Sequence, residues 1–289
     1  MKYSLIINPN SGKDRSKFAI VSLIKKFNKD VDILFTKHPG HAGKLAKKSA
    51  SEKKDIVIAA GGDGTINEIA SALLHTNTSL GIIPLGSGNG YARSLDIPLK
   101  PYDAMNVIFK KNKRLVDVGE INEKYFFAVA GVGLDASIGQ KFQQHHTRGA
   151  LPYFYLGLKS YFEYDYPKFN LKINDEIFNI NPTLITIANA KQFGNGAIIA
   201  PQADIQDGLL DICILEKMSI IQSLDTVLKL FNGKIEKAGS YKSYRCNKLE
   251  ISSEHRLNYH IDGEPFQTDV PLKIGIAKEA LSVICPTKD

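Results

Sequence analysis

Three glycine-rich stretches of this chain could hold a phosphate. The first is Ala59-Ala60-Gly61-Gly62-Asp63-Gly64-Thr65-Ile66-Asn67-Glu68, where an apolar run ends in three glycines around one aspartate. Glycines let the backbone approach a phosphate closely, and a helix starting there adds free N–H groups and a positive dipole end. Thr65-x-x-Glu68 also matches a capping box, which would employ Glu68 as a helix cap. A cap does not explain Asp63, a charge set among glycines. The second stretch is Pro84-Leu85-Gly86-Ser87-Gly88-Asn89-Gly90, and the third is Asn8-Pro9-Asn10-Ser11-Gly12-Lys13. The third lacks the GxxxxGK[ST] spacing of a Walker P-loop and on its own reads as a turn. Near the other end, Asp262-Gly263 reads as a hairpin turn. The turn accounts for those two residues and not for the carboxylate of Glu264 that follows.

Phosphate loops act only where strands and helices present them. Residues 3–8 are a short apolar run that predicts a buried strand, and 31–36, 55–60 and 80–85 predict three further strands. Between them, residues 14–28 and 41–50 have helical periodicity, and further helices are expected from Thr65 and after Gly90. Strand–helix alternation predicts parallel βαβ units in an open α/β sheet, with ligands at the strands' carboxyl ends. Loops after successive parallel strands would lie side by side and line one pocket. Beyond residue 117 the pattern changes to short β-branched and aromatic segments: 124–130, 169–173, 176–180, 183–189, 209–215, 248–252, 257–261 and 272–277. These predict an antiparallel sandwich or barrel. Two helical insertions are expected, at about 150–162 and 219–231. Ser219 would cap the second, with Ile220, Leu224, Val227, Leu228 and Phe231 facing inward. The expected domains are 1–117 and 118–278, with the tail 279–289 returning to the first.

At 289 residues and 43% apolar composition the chain has ample core for two domains. No apolar run approaches the roughly 20 residues of a membrane span. The N-terminal stretch Met1–Pro9 does not read as a signal peptide. Cys213, Cys246 and Cys285 form neither a disulfide framework nor a zinc site, so a cytoplasmic setting is expected. The net charge of +7 is uneven. Residues 1–117 carry 19 Lys/Arg against 10 Asp/Glu, and residues 118–289 carry 18 against 20. The basic half suits a nucleotide, a nucleic acid or an anionic membrane, although its lysines, single or paired on polar helix faces, read mostly as solvated surface.

Asn8-Pro9-x-Ser11-Gly12, Gly61-Gly62-Asp63-Gly64-Thr65, Pro84-x-Gly86-Ser87-Gly88-Asn89 and Asp262-Gly263-Glu264 occur in this order along the whole chain. In this combination the chain resembles the diacylglycerol kinase catalytic-domain family, which includes soluble bacterial lipid kinases and sphingosine kinases. The resemblance implies a nucleotide-binding α/β domain like that of NAD kinase and 6-phosphofructokinase, followed by a β-sandwich. It implies an ATP- and Mg²⁺-dependent kinase that phosphorylates a lipid hydroxyl. ATP contacts would fall on Asn8, Pro9, Asn10, Ser11, Gly12, Thr36, Gly62, Asp63, Gly64, Thr65, Ile66, Asn67, Glu68 and Ser87. Asp63 would act through Mg²⁺ and water, Asp117 would support that network, and Glu264 would be the general base. A second, structural Mg²⁺ would take the Asp207 carboxylate and the carbonyls of Asp204 and Leu209. The implied partners are a lipid at the membrane surface and, at most, a second copy of the chain, with no nucleic acid. The enzyme would be peripheral to the membrane during turnover.

One position departs from the resemblance. Diacylglycerol kinases usually carry an aspartate where this chain has Gly90, whereas sphingosine kinases carry a small residue there. That leans the expectation toward a sphingoid or other single-chain lipid. The aromatic stretch 151–162 could face lipid or pack on the sandwich. Two rivals remain at this stage: an NAD kinase-like enzyme acting on a small molecule, and a non-catalytic nucleotide- or membrane-binding protein.

Overall fold

The computed structural model describes residues 1–12, 20–24, 27, 30–134, 166–194 and 196–287. The chain divides into two compact units, Met1–Val118 with Lys278–Asp289, and Gly119–Ala277. It leaves the first through one strand and returns through another.

In the first unit, β1 (Tyr3–Ile7), β2 (Val31–Phe35), β3 (Ile56–Gly61) and β4 (Ser79–Pro84) form a parallel sheet in the order β2-β1-β3-β4. The end of the last strand joins β4 in parallel, Val283 opposite Leu80. β1, β3 and β4 are buried at every position, as a sheet covered on both faces requires. One face packs Leu5, Ile7, Ile56, Ile58 and Ile83 against Ile20, Ile24, Met105 and Ile108. Ile20 and Ile24 lie in the helical residues 20–24, and the other two in a helix at Pro101–Lys110. Helices α1 (His41–Ser51) and α2 (Asp63–Leu73) lie together and contact β1 and β3. A one-turn α3 (Gly90–Ser94) precedes α4 (Pro101–Lys110). The start of β5 (Lys113–Ile121) completes the unit.

The second unit is a sandwich. Strands β6 (Lys124–Phe126), β7 (Val129–Gly133), β8 (Phe169–Ile173), β9 (Glu176–Ile180) and β10 (Leu184–Ala188) precede a small hairpin of β11 (Gln192–Gly194) and β12 (Ala197–Ile198). Then come β13 (Leu210–Leu215), helix α5 (Ile220–Phe231), β14 (Tyr241–Cys246), β15 (Lys248–Ser252), β16 (Leu257–Ile261), β17 (Glu264–Thr268) and β18 (Leu272–Ile284). One antiparallel layer runs β14-β13-β10-β7-β16-β17; the other joins β18 to β15, β8 and β9. Alternate residues of both layers meet in one core, including Ile185, Ile187 and Ile212 from one and Leu171, Leu249 and Ile251 from the other.

The structure overturns the expected orientation of the helix at 219–231. Ser219 does cap α5, in a full capping box with Gln222. The apolar stripe, however, faces outward: Ile220, Ile221, Leu224, Leu228 and Phe231 are all exposed, and only Thr226 is buried. Helical periodicity groups residues on one face without saying which way the face points. The expected helix at 150–162 and the aromatic stretch within it lie outside the described residues, as does most of 14–28.

Candidate active site

In the first unit the glycine loops follow β1, β3 and β4, at the carboxyl ends of adjacent parallel strands. Gly62 is the N-cap of α2, so Asp63 begins that helix. A carboxylate there is stabilised by the positive helix end. The Asp63 Oδ2 atom accepts from the backbone N–H of Asn89 at 2.8 Å and so joins the β3 loop to the β4 loop. Its other oxygen, Oδ1, is buried and has no hydrogen-bond partner among the described residues. Asn89 closes the β4 loop on itself: its Oδ1 accepts from Gly86 N at 2.9 Å, and its Nδ2 donates to Gly86 O at 2.8 Å. It does so with a left-handed backbone, φ +50, a conformation asparagine tolerates better than most residues.

The two loops touch at their glycines. A side chain on Gly86 would meet Gly62 Cα at 2.8 Å and Asn89 Oδ1 at 2.9 Å, and one on Gly88 would meet Asp63 Oδ2 at 3.0 Å. Gly86→Ala should therefore cost about 1–3 kcal/mol of stability through overpacking and weaken nucleotide affinity. Thermal melting and calorimetric titration check this. An alanine variant with unchanged melting and affinity would mean the loops are not held in this contact.

The β1 loop is tied in from the other side. Asn8 Nδ2 donates to Thr65 Oγ1 at 3.0 Å, Asn8 N donates to Ala60 O at 3.0 Å, and Asn8 Oδ1 accepts from Asn10 N at 2.9 Å. Pro9, Asn10, Ser11 and Gly12 follow in the turn, with Gly12 at φ +81. Thr36, buried just after β2, donates its N–H to Ile7 O at 2.9 Å. Ser87 and Gly64 are exposed and Asn67 is half-buried, whereas Thr65 and Ile66 are buried.

Glu68 has a role that its spacing did not reveal. It does not close a capping box on its own helix. Its Oε1 accepts from Gly40 N at 2.7 Å, and its Oε2 from Ala42 N at 3.0 Å and Gly43 N at 3.4 Å. It therefore satisfies the free N–H groups that open α1, a helix whose own N-cap is Gly40 and supplies no side chain. Asp117, buried in β5, accepts at its Oδ1 from Glu279 N at 2.7 Å.

In the second unit Glu264 is exposed at the head of the β16–β17 hairpin, paired with Ile261. Asp262 at φ +47 and Gly263 at φ +87 form its two-residue turn, with both residues in the positive-φ region that type I′ hairpins need. The Asp262 carboxylate does more than turn the chain. It accepts from Phe127 N at 2.9 Å, Ala128 N at 2.9 Å and Val129 N at 3.0 Å. Desolvation pushes its pKa up, while these three N–H groups and His260 pull it back. Phe266 of the same hairpin stacks on Tyr259 at 5.5 Å between centroids, and Lys124 Nζ sits 4.7 Å from its ring centre. The turn carrying Glu264 is thus anchored at Asp262 and Phe266. Sequence spacing reveals a hairpin there and not the anchor, which comes from residues more than 130 positions away.

Two places can be tested for a divalent cation. At Asp63 the residues fit: a hard oxygen ligand, one of its atoms buried without a partner, stands beside two phosphate-type loops. At the 204–209 loop the expected carboxylate already has partners. The Asp207 carboxylate accepts from Leu209 N at 2.9 Å on one oxygen and pairs with the Arg245 guanidinium on the other. Asp204 Oδ1 accepts from Gln206 N at 3.1 Å. Arg245 also approaches Asp211 at 3.6 Å, whose carboxyl is pushed up to about 6 by desolvation, with Arg245 lowering it and Asp207 raising it. The guanidinium already supplies the positive charge that a cation would bring to Asp207.

Comparison with known proteins places both units. The diacylglycerol kinase catalytic domain matches residues 2–121, and the YegS C-terminal NAD kinase beta sandwich-like domain matches residues 128–285. A protein of Chromohalobacter salexigens named "Probable lipid kinase YegS-like" is 30% identical over 267 residues, covering 90% of this chain and 86% of that protein. The protein named "Diacylglycerol kinase" of Bacillus subtilis is 26% identical over 270 residues, covering 90% and 88%. A crystal structure of a diacylglycerol kinase from Bacillus anthracis str. Sterne shares the fold, with a TM-score of 0.76 at 22% identity over 99% of this chain and 97% of that one.

Proposed function

The chain belongs to the diacylglycerol kinase catalytic-domain family, and from that premise we propose an ATP- and Mg²⁺-dependent kinase for the hydroxyl of a diacylglycerol or sphingoid-type lipid. One observation carries the reading: the Asp63 carboxylate bridges two glycine loops and keeps one oxygen buried without a partner. A structural aspartate would be expected to satisfy both oxygens. A metal- and phosphate-directed one leaves an oxygen for its ligand.

The chemistry then divides among named residues. N–H groups of the loops at Asn8–Gly12, Gly62–Glu68 and Ser87 bind the nucleotide phosphates. Thr36 lines the same edge of the sheet. Mg²⁺ held through Asp63 would offset the charge on the transferred group. Glu264 takes the proton from the lipid hydroxyl as that oxygen bonds to the γ-phosphorus; the bond to the bridging oxygen breaks and ADP leaves. Asp117 supports the charge balance near the phosphates. Asp262 positions Glu264.

The reading is tested by incubating the purified chain with labelled ATP and a panel of diacylglycerols, sphingoid bases and monoacyl lipids in mixed micelles. Transfer to at least one lipid is the expected result; ATP binding with transfer to none would sink the proposal. Acceptor choice should follow Gly90. That residue opens α3 and is not among the positive-φ glycines, so an aspartate there meets no backbone strain. Gly90→Asp should move the kcat/KM ratio toward diacylglycerol by about tenfold, the scale of one contact, with a thermal melt alongside. Strong wild-type activity on diacylglycerol and none on single-chain lipids would overturn the preference.

A further inference from the structure

We propose that α5 is the element by which this enzyme docks on an anionic phospholipid surface, a proposal that rests on the lipid-kinase reading because that reaction places the acceptor in a bilayer. Ile220, Ile221, Leu224, Leu228 and Phe231 are 50%, 81%, 52%, 64% and 55% exposed. At helical spacing they fall within an arc of about 100°. Scattered exposed apolar residues are ordinary, but a contiguous stripe of five on one helix marks an interaction surface.

Charge selects the occupant. The helix's only two charged residues, Asp225 and Lys229, bond to each other at 2.6 Å, away from the stripe. Exposed lysines stand at both ends: Lys217 before the helix, Lys234 and Lys237 after it. Of the nearby carboxylates, Glu216 is taken by Lys242 at 2.6 Å, which leaves Glu236. An aliphatic face with cations at its ends complements a membrane whose headgroups are anionic and whose acyl chains lie just beneath. The stripe has no charged residue of its own to set register against a protein partner. The capping box fixes the helix start, so the face is formed before any bilayer is met.

The test uses the full chain and vesicles, without ATP. Sedimentation with phosphatidylcholine vesicles containing phosphatidylglycerol should pellet the wild type, and vesicles of phosphatidylcholine alone should pellet far less. Ile221→Ser with Leu228→Ser should weaken anionic-vesicle binding by about tenfold or more. Lys234→Ala with Lys237→Ala, or high salt, should weaken it by a smaller factor. Both pairs are at exposed positions, so the melting temperature should hold, and so should phosphorylation of a lipid in detergent micelles. Undiminished vesicle binding by the Ile221/Leu228 variant overturns the proposal. So does a wild-type dimer in light scattering that this variant splits while vesicle binding stays intact; the face would then belong to a second copy. Because binding is read without turnover, failure of the kinase reading shows separately, as no phosphorylated lipid in the micelle assay.

Discussion

Glu264→Gln should lower lipid phosphorylation by about 10²–10⁴-fold, the contribution of a general base, and should leave ATP affinity unchanged. Glutamine has nearly the same shape, and Glu264 is exposed, so the substitution removes proton acceptance and little else. The turn itself does not depend on residue 264. It is set by Asp262 and Gly263 at positive φ and by the three N–H groups on the Asp262 carboxylate. Asp262→Ala makes the contrasting case. It should leave three buried N–H groups short of an acceptor, cost about 1–3 kcal/mol of stability, and disturb turnover through the position of Glu264. Single-turnover rates beside calorimetric titration of ATP separate the two effects. Near-normal turnover in Glu264→Gln would remove the base assignment, whatever Asp262 does.

Asp63→Ala should abolish measurable turnover, a loss of at least about 10³-fold if the metal supplies several kcal/mol of charge stabilisation. Two things are lost together: the carboxylate at the head of α2 and the tie to Asn89 N. Asp63→Asn tells them apart. An amide oxygen can still accept from Asn89 N, so the loops should stay joined and the melt should change little. The negative charge is gone, so turnover should fall almost as far as in the alanine variant. The measurements are melting temperature, ATP affinity and turnover over a range of Mg²⁺ concentration. Substantial activity in Asp63→Asn would assign Asp63 to loop architecture alone.

Much of this molecule is legible in its residues, for physical reasons. The strands Tyr3–Ile7, Ile56–Gly61 and Ser79–Pro84 are buried on both faces, so they read as unbroken apolar runs. The glycine loops that end two of them are visible because no other residue fits such close approach. What escapes notice is partly exposed or spent on distant backbone. The strands Tyr241–Cys246 and Glu264–Thr268 lie at the two edges of their layer, where solvent replaces apolar neighbours, and their sequences carry little pattern. The helix Pro101–Lys110 carries two signals, a proline at its first turn and the spacing of Ala104, Met105 and Ile108, but the expected helix after Gly90 had no bounds. Glu68 and Asp262 look like a helix cap and a turn residue from their neighbours. Their actual partners, Gly40 to Gly43 and Phe127 to Val129, can be known only from the fold.

The grip of Glu68 on the opening of α1 has a thermodynamic consequence. The segment between Thr36 and Gly40 is fastened at both ends, by Thr36 N on Ile7 O and by Gly40 N on the Glu68 carboxylate. A free loop of that length would lose conformational entropy on closing over a ligand, roughly 1–2 kcal/mol for each residue immobilised. Here much of that freedom is surrendered when the α/β unit folds, before any ligand arrives. On the proposed reading, a nucleotide at this edge of the sheet would meet a segment already held at both ends, and the ordering term that weakens flexible binding loops would be smaller.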